Sequence, residues 1–204
     1  VIKAIVFDFG NVISEPQDIT CFTRMSAMSG ISEEALVASF WKYRPDFDRG
    51  TIRGHEMYLK ILAEADITGN EAKLDTLAEQ LLAEDLGAWF HISPTVTEWG
   101  LSLQESGYIL GILSNMPVDF LEHFENKIEL FSKADVSVFS CRVDQIKPEP
   151  AIYRTLIDRL GCKPDEIVFF DDIQANVDGA LKAGIRAFLW TGLEQAKKDW
   201  KSNH

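Results

Sequence analysis

Hydrophobic positions gather into five short runs: residues 1–7 (VIKAIVF), 108–113 (YILGIL), 136–139 (VSVF), 167–170 (IVFF) and 186–190 (RAFLW). Each has strand length and is rich in β-branched or aromatic side chains. Segments with helical spacing or helix signals follow the second, third and fourth runs, among them 151–160 and 175–183, the latter closed by Gly184. Strands alternating with helices predict a parallel sheet covered on both faces. The stretch between the first two runs has another rhythm. Ser32 reads as an N-cap with Ile31 stapled onto Leu36, a helix fits 55–65, and Asn70 caps a segment in which Leu74, Leu77, Ala78, Leu81 and Leu82 form one stripe. With no strand pattern between about Pro16 and Ile92, residues 16–92 are expected to be an all-helical insertion. Residues 1–15 and 93–204 then form an α/β core, and Ser93 as N-cap with Pro94 as first helical residue marks the return to it.

Composition narrows the function. Hydrophobic residues make up 46% and charged residues 25% of the 204, as in globular proteins. The formal net charge of -12 opposes binding to phosphate backbones or anionic lipid, and no basic run overrides it. Neither nucleic acid nor membrane is an expected partner. Cys21, Cys141 and Cys162 are odd in number and lack C-x-x-C spacing, which argues against a disulfide framework or structural zinc and fits a reducing compartment. Without signal-peptide features or an apolar run of bilayer length, the expected location is cytoplasmic. Monomer and homodimer both stay open. The four histidines, His55, His91, His123 and His204, show no zinc spacing and suit surface or capping roles.

The candidate chemistry sits at strand ends, where open parallel sheets bind ligands. The triplet Asp8-Phe9-Gly10 occurs in kinases, but only seven residues precede Asp8, so a glycine-rich loop and a strand lysine have no room, and no HRD follows. Asp8 ends the first run, Ser114-Asn115 the second and Asp171-Asp172 the fourth, with Lys147-Pro148 between the third and fourth. Carboxylates, a hydroxyl and an amine are therefore expected on one rim.

The motifs FDFGNV, LSN, KPEPAIY and FFDDIQAN, in that order, resemble the four motifs of the haloacid dehalogenase-like hydrolase superfamily, and the helical insertion resembles its cap. The match spans nearly the whole chain and is closest to capped sugar-phosphate phosphatases whose first motif reads DxGNV, including the glucose-1-phosphate phosphatase type. The resemblance implies a three-layer Rossmann-like core with an inserted helical cap and a magnesium-dependent phosphatase acting on a small phosphorylated metabolite. It implies Asp8 as nucleophile, and Asp8, Asp172, the Gly10 carbonyl and nearby Asp171 around the metal. Lys147 and Ser114 then stabilise charge on the phosphate, Asn115 and Asn11 help bind substrate, and Asn176 orients the metal loop. Trp41, Tyr43, Arg44, Arg49 and Arg53 of the insertion are candidates to face substrate.

One position departs from the pattern. Most phosphatases of the superfamily carry a second aspartate where Gly10 stands, which protonates the leaving oxygen and later activates water. General acid–base catalysis contributes about 10²- to 10⁴-fold. Its loss is expected to favour sugar 1-phosphates and acyl phosphates over alkyl phosphates. Asn11, a cap residue or a second water is left to act as base. Two alternatives stand: a dehalogenase, which also lacks the second aspartate but needs no magnesium, and a binding protein with little turnover.

Overall fold

The structure, a computed structural model, describes residues 1–89 and 91–202. Five parallel strands form its sheet: β1 (Ala4–Phe7), β2 (Ile109–Ser114), β3 (Val136–Phe139), β4 (Ile167–Asp171) and β5 (Arg186–Leu189), in the spatial order β3-β2-β1-β4-β5. The order reverses at β1, so the rim beyond β1 and its neighbours β2 and β4 is the topological switch point. Every residue of β1 and β4 is buried, which is why these strands read as unbroken apolar runs rather than alternating ones. Alternation survives in which side of the sheet each side chain joins. Ala4 and Val6 pack with Ile152, Tyr153 and Leu156, whereas Ile5 and Phe7 join a second core with Leu110 and Trp99. Burying one such Phe or Ile contributes about 1.5–3 kcal/mol. The first strand is shorter than the apolar run, since residues 1–3 precede its ladder.

Between β1 and β2 the described residues form five α-helices: α1 (Thr20–Ser29), α2 (Glu33–Arg49), α3 (Gly54–Glu64), α4 (Glu71–Gly87) and α5 (Pro94–Glu105). Ser32 caps α2 through Ala35 N–H, and Asn70 caps α4 through Lys73 N–H at 2.9 Å. Ser93 holds the N-cap position of α5, but its hydroxyl lies 3.3 Å from Thr95 Oγ1 and does not cap the helix; Pro94 is at its start as expected. Helices α1 to α4 pack on one another. The two strands of chain joining them to the sheet run side by side, with Ser14 bridged to Ile92 and Ser93 N–H bonded to Ile13 O at 2.9 Å. The remaining helices are α6 (Val118–Phe124), α7 (Glu129–Lys133), α8 (Ser140–Val143), α9 (Pro150–Leu160), α10 (Gln174–Lys182) and α11 (Leu193–Ser202). Helices α9 and α10 approach closely at Gly179, where an added Cβ would lie 2.8 Å from the Tyr153 hydroxyl. Among the described residues the three cysteines are unbridged, and no helix is long and apolar enough to cross a membrane.

Candidate active site

Asp8 follows β1 directly, and the next residues turn the chain sharply. Gly10 (φ -62, ψ 129) and Asn11 (φ 57, ψ 4) have the angles of a type II turn, in which the second position needs positive φ. Asparagine tolerates that left-handed conformation better than most residues. The turn aims Asn11 across the rim: its Nδ2 donates to Asp172 Oδ2 at 2.7 Å, and its Oδ1 accepts from Gln17 N–H at 3.2 Å.

Lys147 reaches the same point from the connection between α8 and α9. Asn115, at the tip of β2, grips its backbone from both sides, accepting from Lys147 N–H at 2.8 Å and donating to Lys147 O at 3.0 Å. The ammonium lies 2.9 Å from Asp8 Oδ1, 2.6 Å from Asp171 Oδ2 and 3.1 Å from Leu113 O, which uses its three protons. It is only 3% exposed. Burial alone would lower its pKa, but Asp171 and Asp8 outweigh that and raise it. The charge on Lys147 is therefore fixed.

The carboxylates are crowded. Asp8, Asp171 and Asp172 each offer an oxygen within 4.8 Å of the others. Burial pushes Asp8 up to about 7 against the pull of Lys147, with Asp171 and Asp172 adding to the push. Asp172 is also raised, chiefly by burial, with the hydrogen bond from Asn11 opposing. Asp171 is fully buried, its Oδ1 accepting from Ile173 N–H at 2.8 Å and Asn176 Nδ2 at 3.0 Å. Asn176 is held in turn by Tyr153, whose hydroxyl donates to its carbonyl at 2.8 Å. An all-oxygen anionic set of this kind suits a hard divalent cation.

Asp8, Gly10, Asn11, Ser114, Asn115, Lys147, Asp172 and Asn176 all line one cleft of about 330 Å³; Asp171 lies beneath it. Of the five insertion residues singled out from sequence, Trp41 and Arg44 join the lining. The other three do not. Arg49 forks onto Glu149 at 2.5 and 3.1 Å, Arg53 binds Glu122 at 2.6 Å and Asp119 at 3.2 Å, and Tyr43 is half-buried beside Lys42. Arg49 and Arg53 thus tie α2 and its following turn to the core. Among the histidines, His55 pairs with Asp75 at 3.3 Å and His123 contacts Lys127, while His204 lies outside the described residues.

Sequence reading did not single out Gln17, Asp48, Trp89, Met116 and Phe120, which also line the cleft. Asp48 stands one turn after Arg44 and is bonded to it at 2.6 Å, an i,i+4 spacing that in sequence resembles an ordinary surface pair. Trp89 sits where a larger residue at position 10 would go: a Cβ on Gly10 would come 3.2 Å from its ring.

Known proteins resemble the chain along its length. Bifunctional epoxide hydrolase 2 of Mus musculus is 24% identical over 204 residues, covering 92% of this chain and 36% of that protein. A phosphorylated carbohydrates phosphatase of Thermotoga maritima is 37% identical over 59 residues, 29% of this chain and 27% of that protein. The chain thus spans about a third or less of either relative. A HAD family enzyme of Bacteroides thetaiotaomicron, solved with magnesium and inorganic phosphate, superposes with a TM-score of 0.74 at 20% identity, covering 93% of this chain and 94% of that one. A family model for haloacid dehalogenase-like hydrolases matches residues 2–184, and the chain is a member of that family.

Proposed function

We propose that this hydrolase is a magnesium-dependent phosphatase that removes phosphate from small metabolites, sugar phosphates in particular, through an aspartyl-phosphate formed on Asp8. The observation that carries the reading is the buried contact of 2.9 Å between Asp8 and Lys147 on a rim that also holds Asp171 and Asp172. An anionic nucleophile can approach an anionic ester only where its charge is neutralised. Lys147 meets part of that need. Three carboxylates gather around this one ammonium, which bonds two of them, and burial, reinforced by their neighbours' charge, raises the pKa values of Asp8 and Asp172. Magnesium fits this oxygen donor set, held by Asp8, Asp172 and the Gly10 carbonyl with Asp171 beside them. When bound it supplies positive charge that stabilises the phosphoryl oxygens.

Asp8 is held through Oδ1 by Phe9 N–H at 2.7 Å and by Lys147, which leaves its second oxygen to attack phosphorus. Ser114 donates to a phosphoryl oxygen, and the nearby positive charge of Lys147 stabilises the phosphoryl group, as the ester oxygen departs. Water then attacks the aspartyl-phosphate, releasing phosphate and regenerating the carboxylate. Residues 16–92 act as a cap on the core of 1–15 and 93–204, and the cap sets substrate preference. Two buried donors of the insertion, Gln17 Nε2 and Arg44 Nη1, find no partner among the described residues, and Trp41, Trp89 and Phe120 supply aromatic walls. Unpaired donors between aromatic faces suit a neutral, hydroxyl-bearing leaving group.

A screen of phosphorylated metabolites in magnesium buffer is expected to find sugar phosphates among the best substrates. EDTA should abolish turnover, and excess magnesium should restore it. Phosphate release that persists in EDTA contradicts the proposal, as does EDTA-insensitive halide release from 2-haloacids.

A further inference from the structure

Phosphate ester hydrolysis moves two protons, and Gly10 has no side chain to carry them. A side chain there would also crowd the Trp89 ring, which stands 3.2 Å from where a Cβ would begin. The cleft has five titratable side chains among the described residues: Asp8, Arg44, Asp48, Lys147 and Asp172. Asp8 is the nucleophile of the proposed reaction. Lys147 is locked between Asp8, Asp171 and Leu113 O, and Asp172 is held by Asn11 at the metal position. Arginine does not release its proton in proteins. Only Asp48 is left.

Building on the phosphatase reading, we propose that Asp48, carried into the cleft by helix α2, is the general acid and base of this enzyme and replaces the group missing at Gly10. Its setting suits the task. Asp48 is 8% exposed, and one oxygen is fixed by Arg44 Nε at 2.6 Å. Its backbone carbonyl accepts from the Ser140 hydroxyl, which itself accepts from Met116 N–H at 2.8 Å, so the end of α2 is pinned to the core beside β2. Asp48 lines the same cleft as Asp8 and Lys147. Burial raises the Asp48 pKa above the ordinary carboxyl value, while Arg44 and Lys147 hold it back.

The proton balance is simple. Asp48 in its acid form gives its proton to the ester oxygen as the P–O bond breaks and Asp8 bonds to phosphorus. The resulting Asp48 carboxylate then takes a proton from the water whose oxygen displaces Asp8, returning the acid form with free phosphate. This restores the ability to expel ordinary alcohols that the bare Gly10 would deny. The preference for readily departing groups should therefore surface only when Asp48 is removed.

Asp48→Asn keeps the shape and the acceptor for Arg44, and pre-steady-state kinetics on two esters isolates its role. With 4-nitrophenyl phosphate, whose leaving group needs no acid, the variant should give a burst of about one nitrophenolate per site. Slow turnover and accumulated phosphoenzyme, detectable by mass spectrometry, should follow. With an alkyl phosphate the burst should vanish and the rate fall about 10²- to 10⁴-fold. In the wild type, rates across a series of aryl and alkyl phosphates should depend only weakly on leaving-group pKa, a measurement that needs no variant to fold. Equal losses on both esters without a burst, an unchanged rate, or a steep leaving-group dependence in the wild type would overturn the assignment. A wild type inert toward every ester sinks the phosphatase reading itself, and the role of Asp48 with it.

Discussion

Phosphate release by the Asp8→Asn protein is expected to fall to the uncatalysed background on every ester, while the protein keeps its fold. The substitution removes the proposed attacking carboxylate and one of the two carboxylate partners of Lys147, leaving Asp171 as the other. Asparagine has the same shape, and its carbonyl can still accept the bond from Phe9 N–H that fixes Asp8. It cannot form the proposed aspartyl-phosphate, and the neighbouring carboxylates are otherwise engaged: Asp171 is enclosed beneath the cleft, Asp172 is bound by Asn11 and Asp48 by Arg44. Stability should not suffer. A carboxyl whose pKa burial pushes up to about 7 costs free energy when ionised. Because the folded value lies above the ordinary 3.8, native Asp8 contributes most below pH 3.8, and its contribution is lost as pH rises toward about 7. Without a metal, Asp8→Asn should flatten that loss, leaving the variant at least as stable as the wild type at pH 8 by urea titration. Residual turnover well above background would assign the nucleophile elsewhere.

Lys147→Met is expected to damage both activity and stability. Losing one preorganised charge at a reacting oxyanion costs about 10²- to 10³-fold in kcat. Removing the cationic partner of buried carboxylates costs roughly 3–5 kcal/mol, because the remaining charges are left uncompensated. Here the ammonium answers both Asp8 and Asp171, neither of which is more than 6% exposed. Without Lys147 the Asp8 pKa climbs further, since the lysine is the main group holding it down. A more strongly raised folded pKa penalises high pH most, so the stability deficit of the variant should shrink as the solution is acidified from pH 8 toward pH 5. A deficit that grows on acidification would mean that the lysine does not serve those carboxylates.

The parts of the molecule legible in its sequence are those fixed by local rules. The central strands β1, β2 and β4 are runs buried on both faces, and the polar residues that stop those runs stand at the rim, as Asp8, Ser114 and Asp172 do. Partners separated by long stretches of chain were less readable. Asn115 reads as a substrate-binding residue, yet its amide is engaged with the backbone of Lys147, 32 residues on. Asp171 reads as a residue near the metal and does stand with Asp8 and Asp172, but the partners its oxygens accept from, Lys147, Asn176 and the Ile173 backbone, were not legible. Least readable was the insertion. Which face of α2 meets the core depends on how four helices pack, so Arg44 and Asp48 enter the cleft while Arg49, one residue further, turns to Glu149. Trp89 carries no signal at all in sequence, because its effect on position 10 exists only once residues 79 apart have come together.

The central claim is that Asp8 bonds to phosphorus. Acid-quenching the enzyme during turnover, reducing it with borohydride and sequencing the peptides by mass spectrometry tests this directly, because an aspartyl-phosphate is reduced to homoserine and a free aspartate is not. Homoserine at position 8, in turnover samples only, is the predicted result. An unmodified Asp8 in enzyme caught releasing phosphate, or homoserine at another carboxylate, would contradict it.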